Sequence, residues 1–453
     1  EYGSHWNINE YKCKHKQIEN SSKRNRISMI NSSTYEINSS KLKAQSSKNG
    51  SIGTSLLSAF SFQLTAAGHN VPETSSAGYC NSKEPPGRPL RIVIAGGGTG
   101  GHLFPGIAIA QEFETRNPAS KIIFVSTGNP LERSVLSKTG YRLQTVTVAG
   151  IKGRGLWNQI NSVAKIPKGI LEANRILKNF SPDLTVGLGS YSAGPVVFAA
   201  WLRRIPIAVH EQNILPGITN RILSRFANRV YISFENTRSH MDPRKVRWTG
   251  NPVRQEILDS THRSRDIRKN ESDAKPFTVL IIGGSQGAHK INMAVIEALD
   301  HLRHLKHLHF VHQTGQADEL LVREAYRQSK VSGTVQAFFD NMAEQYGRAD
   351  LIICRAGATT VAEITALGKP AIFIPFPFAA DNHQVLNAGS LSDEGAAEML
   401  IEKDLNGKIL SEKINFYAAH PAELENMSAR AKRLGKPDAA MNIVDDCYRL
   451  LAR

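Results

Sequence analysis

An apolar strand running straight into glycines occurs twice in this chain, and each time a helix-forming stretch follows. The first is RIVIAGGGTGGHLFPG (91–106) and the second FTVLIIGGSQGAHKIN (277–292). A short apolar run ended by glycines reads as a buried strand. Glycine lets the backbone turn and approach an anion, and the following helix offers the N–H groups of its first turn. Further strands are expected at KIIFVS (121–126), DLTVGL (183–188) and PIAVHEQ (206–212). After the second glycine loop come LHFVHQ (308–313), TVQAFF (334–339), DLIICR (350–355) and PAIFIP (370–375). Strands alternating with helices imply a parallel sheet covered on both faces, and the restart implies two of them. The predicted fold class is therefore α/β, with two doubly wound domains facing across a cleft and ligands at the carboxyl ends of the strands. The predicted boundaries are 89–253 for the first domain, 254–276 for a polar linker with a short helix, and 277–435 for the second domain. A C-terminal helix at 436–453 carries Ala440, Ile443, Val444, Cys447 and Leu450 at helical spacing.

Residues 1–88 read differently. They are rich in Ser and Asn, contain no aspartate and show no periodicity; Asp183 is the first aspartate in the chain. An acid-poor, Ser-rich, basic leader with little arginine is the composition of a disordered transit peptide, chloroplast more than mitochondrion. Met29 is a candidate start within it, and a disordered bacterial tail is the alternative. The net charge of +16 points to an anionic partner, such as nucleic acid, an acidic membrane surface or a phosphorylated substrate. No apolar run of about 18 residues is present, which argues against a spanning helix. Cys13, Cys80, Cys354 and Cys447 are scattered, so neither a disulfide framework nor a zinc site is expected.

Gly96-x-Gly98-x-x-Gly101 has the spacing of a dinucleotide-binding loop. That reading demands an Asp or Glu at the end of the second strand to hold ribose hydroxyls. The chain has Ser126-Thr127-Gly128 there, which disfavours a dehydrogenase. His102, just after the last glycine, falls at a helix N-terminus, where the dipole favours neutral imidazole. It is a candidate general base; capping or packing of the first turn is the bland alternative.

Eight blocks carry a resemblance: GGGTGGHLFPGIAIA (96–110), GLGSYSAGP (187–195), HEQNILPGITN (210–220), TGNPVR (249–254), GGSQGAHKIN (283–292), HQTG (312–315), CRAGATTVAEI (354–364) and DNHQVLNA (381–388). In order and spacing they resemble the MurG family, transferases that add N-acetylglucosamine to lipid-linked N-acetylmuramyl-pentapeptide in peptidoglycan synthesis. The likeness spans about residues 90–450, although the first block alone is shared with other glycosyltransferases. It implies two Rossmann-like domains of the GT-B type, with the acceptor on the first and UDP-N-acetylglucosamine mainly on the second. It also implies an inverting hexosyltransferase, in which the 4-hydroxyl of N-acetylmuramate attacks the anomeric carbon.

The resemblance and the local chemistry together assign residues. His102 and Glu211 are the candidate bases. Donor contacts are expected from Thr99, Gly100, Gly101, Ser285, Gln286, Gly287, Phe339, Ala358, Thr359, Thr360, Val361, Ala362, Glu363 and Gln384. Ser285 is placed as an N-cap facing a pyrophosphate. Glu363 has two readings: the family puts this glutamate on the uridine ribose, while Thr360-x-x-Glu363 has capping-box spacing. Gln384 resembles the residue that recognises the sugar hydroxyls, and Phe339 would border the uracil. The first glycine loop is expected to serve the pyrophosphate of the lipid acceptor, with Gly98, Tyr191, Ser192, Asn213 and Arg254 as acceptor or phosphate contacts. There, Gly194-Pro195 reads as a helix start with proline at the first position. His289 stands where the family often has arginine, which puts a phosphate contact from it in doubt.

No cofactor is expected, because no Asp-x-Asp motif is present and the histidines of HLRHLKHLHFVH (301–312) lack a ligand set. The expected partners are UDP-N-acetylglucosamine, a polyprenyl-pyrophosphoryl muramyl-peptide lipid and an anionic membrane surface, without nucleic acid. The membrane expectation rests on residues 150–180, where Ile151, Leu156, Trp157, Ile160, Val163 and Ile166 alternate with Lys152, Arg154, Lys165 and Lys168. The expected location is the stromal face of a chloroplast envelope membrane or, in a bacterium, the cytoplasmic face of the inner membrane. Two rivals remain beside the dehydrogenase: a galactolipid synthase sharing the first loop, and a non-catalytic sugar-nucleotide-binding protein, which needs neither His102 nor Glu211.

Overall fold

The computed structural model describes residues 89–148, 156–260, 276–284 and 286–452; of residues 156–165 and 380 the backbone alone is described. The leader, most of the linker and Ser285 thus lie outside the described residues. Among the described residues, thirteen strands form two wholly parallel sheets. The first contains β1 (Arg91–Ala95), β2 (Lys121–Ser126), β3 (Arg142–Thr145), β4 (Leu184–Gly187), β5 (Ile207–Glu211), β6 (Arg229–Ile232) and β7 (Val246–Trp248), in the order β3-β2-β1-β4-β5-β6-β7. The second contains β8 (Phe277–Ile282), β9 (Leu308–Gln313), β10 (Gly333–Gln336), β11 (Leu351–Cys354), β12 (Ala371–Phe373) and β13 (Glu398–Met399), in the order β10-β9-β8-β11-β12-β13. Strand order reverses between β1 and β4 and between β8 and β11. A crevice opens at such a reversal, beyond the carboxyl ends of the strands, and each glycine loop leaves its sheet there.

The first domain carries α1 (Gly100–Arg116), α2 (Pro130–Thr139), α3 (Leu156–Phe180), α4 (Ser190–Leu202) and α5 (Ile218–Leu223). The second carries α6 (His289–Leu302), α7 (Glu319–Ser329), α8 (Met342–Arg348), α9 (Ala358–Leu367), α10 (His383–Ser392), α11 (Gly407–Ala419) and α12 (Pro421–Leu434), and the last helix is α13 (Ala439–Leu451). Strand β1 shows why both faces must be covered. Ile92 and Ile94 pack with Leu103, Ile107 and Phe113 of α1, whereas Val93 and Ala95 pack with Val196 and Val197 of α4. Side chains alternate along a strand, so a run apolar at every position needs helices on both sides.

Strands β3, β6, β7 and β13 were not among those expected from sequence. Of these, β3 is an edge strand of sequence RLQT with no buried residue, and β13 has two residues. Neither can show an apolar pattern. At the other edge, β10 ends at Gln336 instead of continuing to Phe339.

Helix α13 follows the second domain in sequence but packs on the first. Ile443, Val444 and Cys447 are fully buried in the same cluster as Ile92, Ile107 and Phe113. Asp446 accepts from Arg229 Nε at 2.9 Å and from the Tyr231 hydroxyl at 3.1 Å, and Asp445 pairs with Arg116 at 2.7 Å. The last helix therefore ties the two domains together. Ile443→Ala should cost about 2–5 kcal/mol of unfolding free energy, read by urea titration. A cost well under about 1 kcal/mol would contradict this packing.

Candidate active site

The first glycine loop is filled from beneath by a carboxylate. Asn129 and Glu132 form a capping box at the start of α2, and Glu132 is fully buried. Its side chain accepts hydrogen bonds from the Gly98 N–H, from Ser126 Oγ at 2.6 Å and from the Gly128 N–H at 2.6 Å. A Cβ on Gly97 would lie 2.3 Å from Glu132 Oε1, so only glycine fits there. Ser126 also bonds Ser192 Oγ at 3.0 Å, and Ser192 bonds Ser190 Oγ at 2.9 Å. An anion at Gly98 would displace an internal one, which argues against a dinucleotide more directly than the missing ribose acid. Sequence reasoning did not single out Glu132, although its Asn-x-x-Glu capping spacing was readable.

His102 is the third residue of α1. Its Nδ1 lies 3.0 Å from Gln212 Oε1, just beyond β5. Burial lowers its pKa; the Gln212 hydrogen bond opposes that, and the charge of His383, on the other domain, adds to it. The imidazole is thus neutral near pH 7, with burial as the largest cause of the shift.

Glu211 is placed differently. It is 1% exposed, and its carboxylate is held by the Asn213 N–H (3.0 Å), the Gly217 N–H (3.2 Å) and Asn220 Nδ2 (2.9 Å). Burial raises its pKa against these bonds. The carboxylate shapes the 212–217 turn.

Three contacts bring the domains together around His102. Pro105 has no N–H to give the Gly101 carbonyl, and Thr359 Oγ1 of α9 donates to that carbonyl at 3.2 Å instead. Arg254 lies over the Phe104 ring, 4.1 Å from its centroid, and donates to Glu363 Oε1 at 3.3 Å. Asn387 of α10 donates to Asn213 Oδ1 at 3.2 Å and accepts from the Ile214 N–H at 3.3 Å.

In the second domain, α9 begins at Ala358 with Gly357 as its N-cap, two residues before Thr360. The Thr360-x-x-Glu363 spacing is therefore interior to the helix, and the capping-box expectation is corrected. Glu363 is bonded instead to Arg254 and to the Tyr346 hydroxyl at 2.8 Å. Val361 points into the core, and Ala358 is also buried, while Thr360 and Ala362 are partly exposed. Gln384 accepts from the Phe376 N–H at 2.9 Å. Phe339 is buried, and its neighbour Phe338 is 45% exposed.

The second glycine loop is held by a neutral side chain, since Gln313 Nε2 donates to the Gly284 carbonyl at 3.0 Å. Gly284 has open space above it, Gln286 is exposed and Gly287 sits at φ +79°. His289, at the start of α6, pairs with Asp318 at 3.0 Å.

Of the residues expected at the acceptor end, Gly98 and Tyr191 are exposed, Tyr191 at 45%. The Gly98 N–H is taken by Glu132, Ser192 is buried among serines, Asn213 bridges to Asn387, and Arg254 pairs with Glu363. Helix α4 starts at Ser190, so Gly194-Pro195 lies within it and not at its start. Pro195 then leaves the Tyr191 carbonyl without an intrahelical partner. The described residues gather no group of three or more His, Cys, Asp and Glu suited to a metal.

Residues 92–232 match the glycosyltransferase family 28 N-terminal domain, and 278–443 match its C-terminal domain. The chain is 45% identical over 365 residues to the UDP-N-acetylglucosamine–N-acetylmuramyl-(pentapeptide) pyrophosphoryl-undecaprenol N-acetylglucosamine transferase of Anaeromyxobacter dehalogenans, covering 80% of this chain and 94% of the relative. The same-named transferase of Geotalea uraniireducens is 45% identical over 361 residues, with 98% of it covered. Among solved structures, Acinetobacter baumannii MurG superposes with a TM-score of 0.62 at 31% identity, over 79% of this chain and 98% of that one. A UDP-N-acetylglucosamine 2-epimerase from Neisseria meningitidis, 16% identical over 80% of this chain and all of its own, shares the fold with a TM-score of 0.58. With two parallel-sheet domains, both family domains matched and near-full-length likeness to its members, the chain belongs to the MurG family of glycosyltransferases.

Proposed function

We propose that this protein transfers N-acetylglucosamine from UDP-N-acetylglucosamine to the 4-hydroxyl of the muramyl residue of a polyprenyl-pyrophosphoryl muramyl-pentapeptide. The observation that carries the reading is the His102–Gln212 hydrogen bond at the cleft. It occupies Nδ1 and leaves Nε2 as the nitrogen able to take a proton. The acceptor O–H gives its proton to Nε2 as its oxygen attacks the anomeric carbon. The bond from that carbon to the UDP oxygen breaks, UDP departs with the electron pair, and the configuration inverts to a β-1,4 link. The second domain takes the nucleotide: the open Gly284 loop and the N-termini of α6 and α9 favour the pyrophosphate charge. Among the acids near the cleft, Glu363 is the one suited to the ribose hydroxyls, which would compete with Arg254 and Tyr346 for its carboxylate. Glu211, saturated by its own turn, supports the loop and does not act as base.

A lipid-linked acceptor stays in its membrane, and the first domain has a face suited to one. Trp201 and Leu202 of α4, Ile218 and Ile222 of α5, and Leu171 of α3 are exposed, at 46%, 57%, 67%, 50% and 70%. Arg203, Arg204, Arg221 and Arg225 are exposed beside them. Apolar side chains rimmed by arginines suit the surface of an anionic bilayer. Of the 150–180 stretch read from sequence, Ile166 and Lys168 are described and exposed. No helix among the described residues is long and apolar enough to cross a membrane.

We further propose plastid delivery, with the enzyme on the stromal face of the envelope. The aspartate-free, Ser- and Asn-rich stretch 1–88 lies ahead of the region shared with the bacterial relatives and supports it. Residues 1–88 fused to a fluorescent protein should enter chloroplasts; a cytosolic signal would refute delivery.

Turnover is tested with UDP-N-acetylglucosamine and a lipid-linked muramyl-peptide acceptor, beside diacylglycerol as the rival acceptor. Transfer to diacylglycerol alone would overturn the substrate assignment. His102→Ala should lower kcat about 10²–10⁴-fold while leaving UDP affinity unchanged. The acid limb of kcat/KM should fall below pH 6.5, because the base must be neutral and its pKa lies under that value. Glu211→Ala should instead act through the 212–217 turn and be read first as lost stability. Near-normal turnover in His102→Ala with loss in a well-folded Glu211→Ala would move the base to Glu211.

A further inference from the structure

We propose that Gln212 is the positioning residue of the transfer reaction, fixing His102 in the tautomer that can accept a proton. The inference rests on the reading of His102 as the base. Gln212 is 1% exposed and its amide is fully engaged. Its Nε2 donates to the Leu188 carbonyl, at the end of β4, at 2.9 Å, and lies 3.3 Å from the His210 carbonyl. Carbonyl oxygens only accept, so turning the amide over would set oxygen against two oxygens. Its Oε1 therefore faces His102 Nδ1, at 3.0 Å. An amide oxygen has no hydrogen to give. Nδ1 must carry the proton, and the lone pair is left on Nε2.

The other end of the amide is locked by the same logic. Gln212 Nε2 also lies 3.1 Å from His210 Nδ1. Burial pushes the His210 pKa down to about 4, so at neutral pH this ring is uncharged and its Nδ1 can accept. Its Nε2–H is left to point at the Gly250 carbonyl, 3.4 Å away at the entry to the linker. The hydrogen bonds thus run in one direction, from His102 through Gln212, and from Gln212 through His210 toward Gly250. Neither ring can change tautomer without breaking one of these bonds. A glutamine serves where other hydrolytic and transfer sites place a carboxylate, and it orients the imidazole without stabilising the imidazolium by full charge.

The test uses the full chain labelled with ¹⁵N-histidine, with the His102 signals assigned by their loss in His102→Ala. Multiple-bond proton–nitrogen spectra at neutral pH report which ring nitrogen is protonated. Wild type should show His102 protonated at Nδ1. Gln212→Met removes the acceptor at similar volume; it should shift His102 away from the Nδ1–H form and lower kcat about 100-fold, with the KM for the nucleotide sugar unchanged. Gln212→Glu keeps an oxygen facing Nδ1 and should retain that form. Its second oxygen meets the Leu188 and His210 carbonyls, so kcat should fall, though less than in Gln212→Met. Wild-type His102 protonated at Nε2 would overturn the proposal even if Gln212→Met does not fold. So would Gln212→Met and Gln212→Glu losing kcat alike with the tautomer unchanged, which is the signature of a merely structural glutamine. If the tautomer responds as expected but His102→Ala keeps full turnover, the base reading has failed, and Gln212 has no catalytic role to position.

Discussion

The buried carboxylate of Glu132 decides what the first glycine loop can do. It takes the Gly98 N–H and fills the space that a Cβ on Gly97 would need. A charge buried this completely persists only when donors surround it, and Ser126, Gly128 and Gly98 supply them. The loop is thereby closed as a nucleotide cradle while keeping the backbone of one. Its helix still starts beside it and still presents a third residue, His102, to the cleft. The second loop carries Gln313 in place of an acid, while Gly284, like Gly98, has open space above it. Two sheets of the same design thus differ in the side chain that holds the glycine loop, an acid in one and an amide in the other.

The cleft between them is held by parts of low individual strength. The Gly101 carbonyl is available to Thr359 because Pro105 leaves it without a partner. Arg254 joins Phe104 on one domain to Glu363 on the other, and Asn387 reaches Asn213. Side-chain hydrogen bonds of this kind contribute about 1 kcal/mol each, so the domains can separate at modest cost. The last helix is the sturdier tie, with Ile443, Val444 and Cys447 fully buried on the first domain. Substrate entry and product release are compatible with a cleft built this way.

Much of the architecture was legible because parallel strands covered on both faces must be apolar at nearly every position. KIIFVS, LHFVHQ and the two glycine-ended strands therefore stood out, whereas the polar edge strand β3 and the two-residue β13 did not. The site was less legible, and the capping boxes show why. Asn129-x-x-Glu132 is a real one, while Thr360-x-x-Glu363 has the same spacing without the geometry, because Gly357 starts the helix earlier. Nothing local separates the two. His102 was found through its place after the glycines, but its neutrality comes from burial, which only the assembled domains create. Glu211 read well as a base from its strand-end position; its three local donors become visible only once the turn is folded. Phe339 was placed beside the uracil from its motif, and its burial becomes visible only once the chain after β10 is folded.

The central claim is a division of labour, with the nucleotide on the second sheet and the base on the first. Amide hydrogen exchange with and without UDP-N-acetylglucosamine tests it most directly. The proposed division predicts slowed exchange at the amides of 286–288 and 358–363, with those of 96–98 unchanged because Glu132 and the sheet already hold them. Protection at 96–98 with none on the second domain would contradict it.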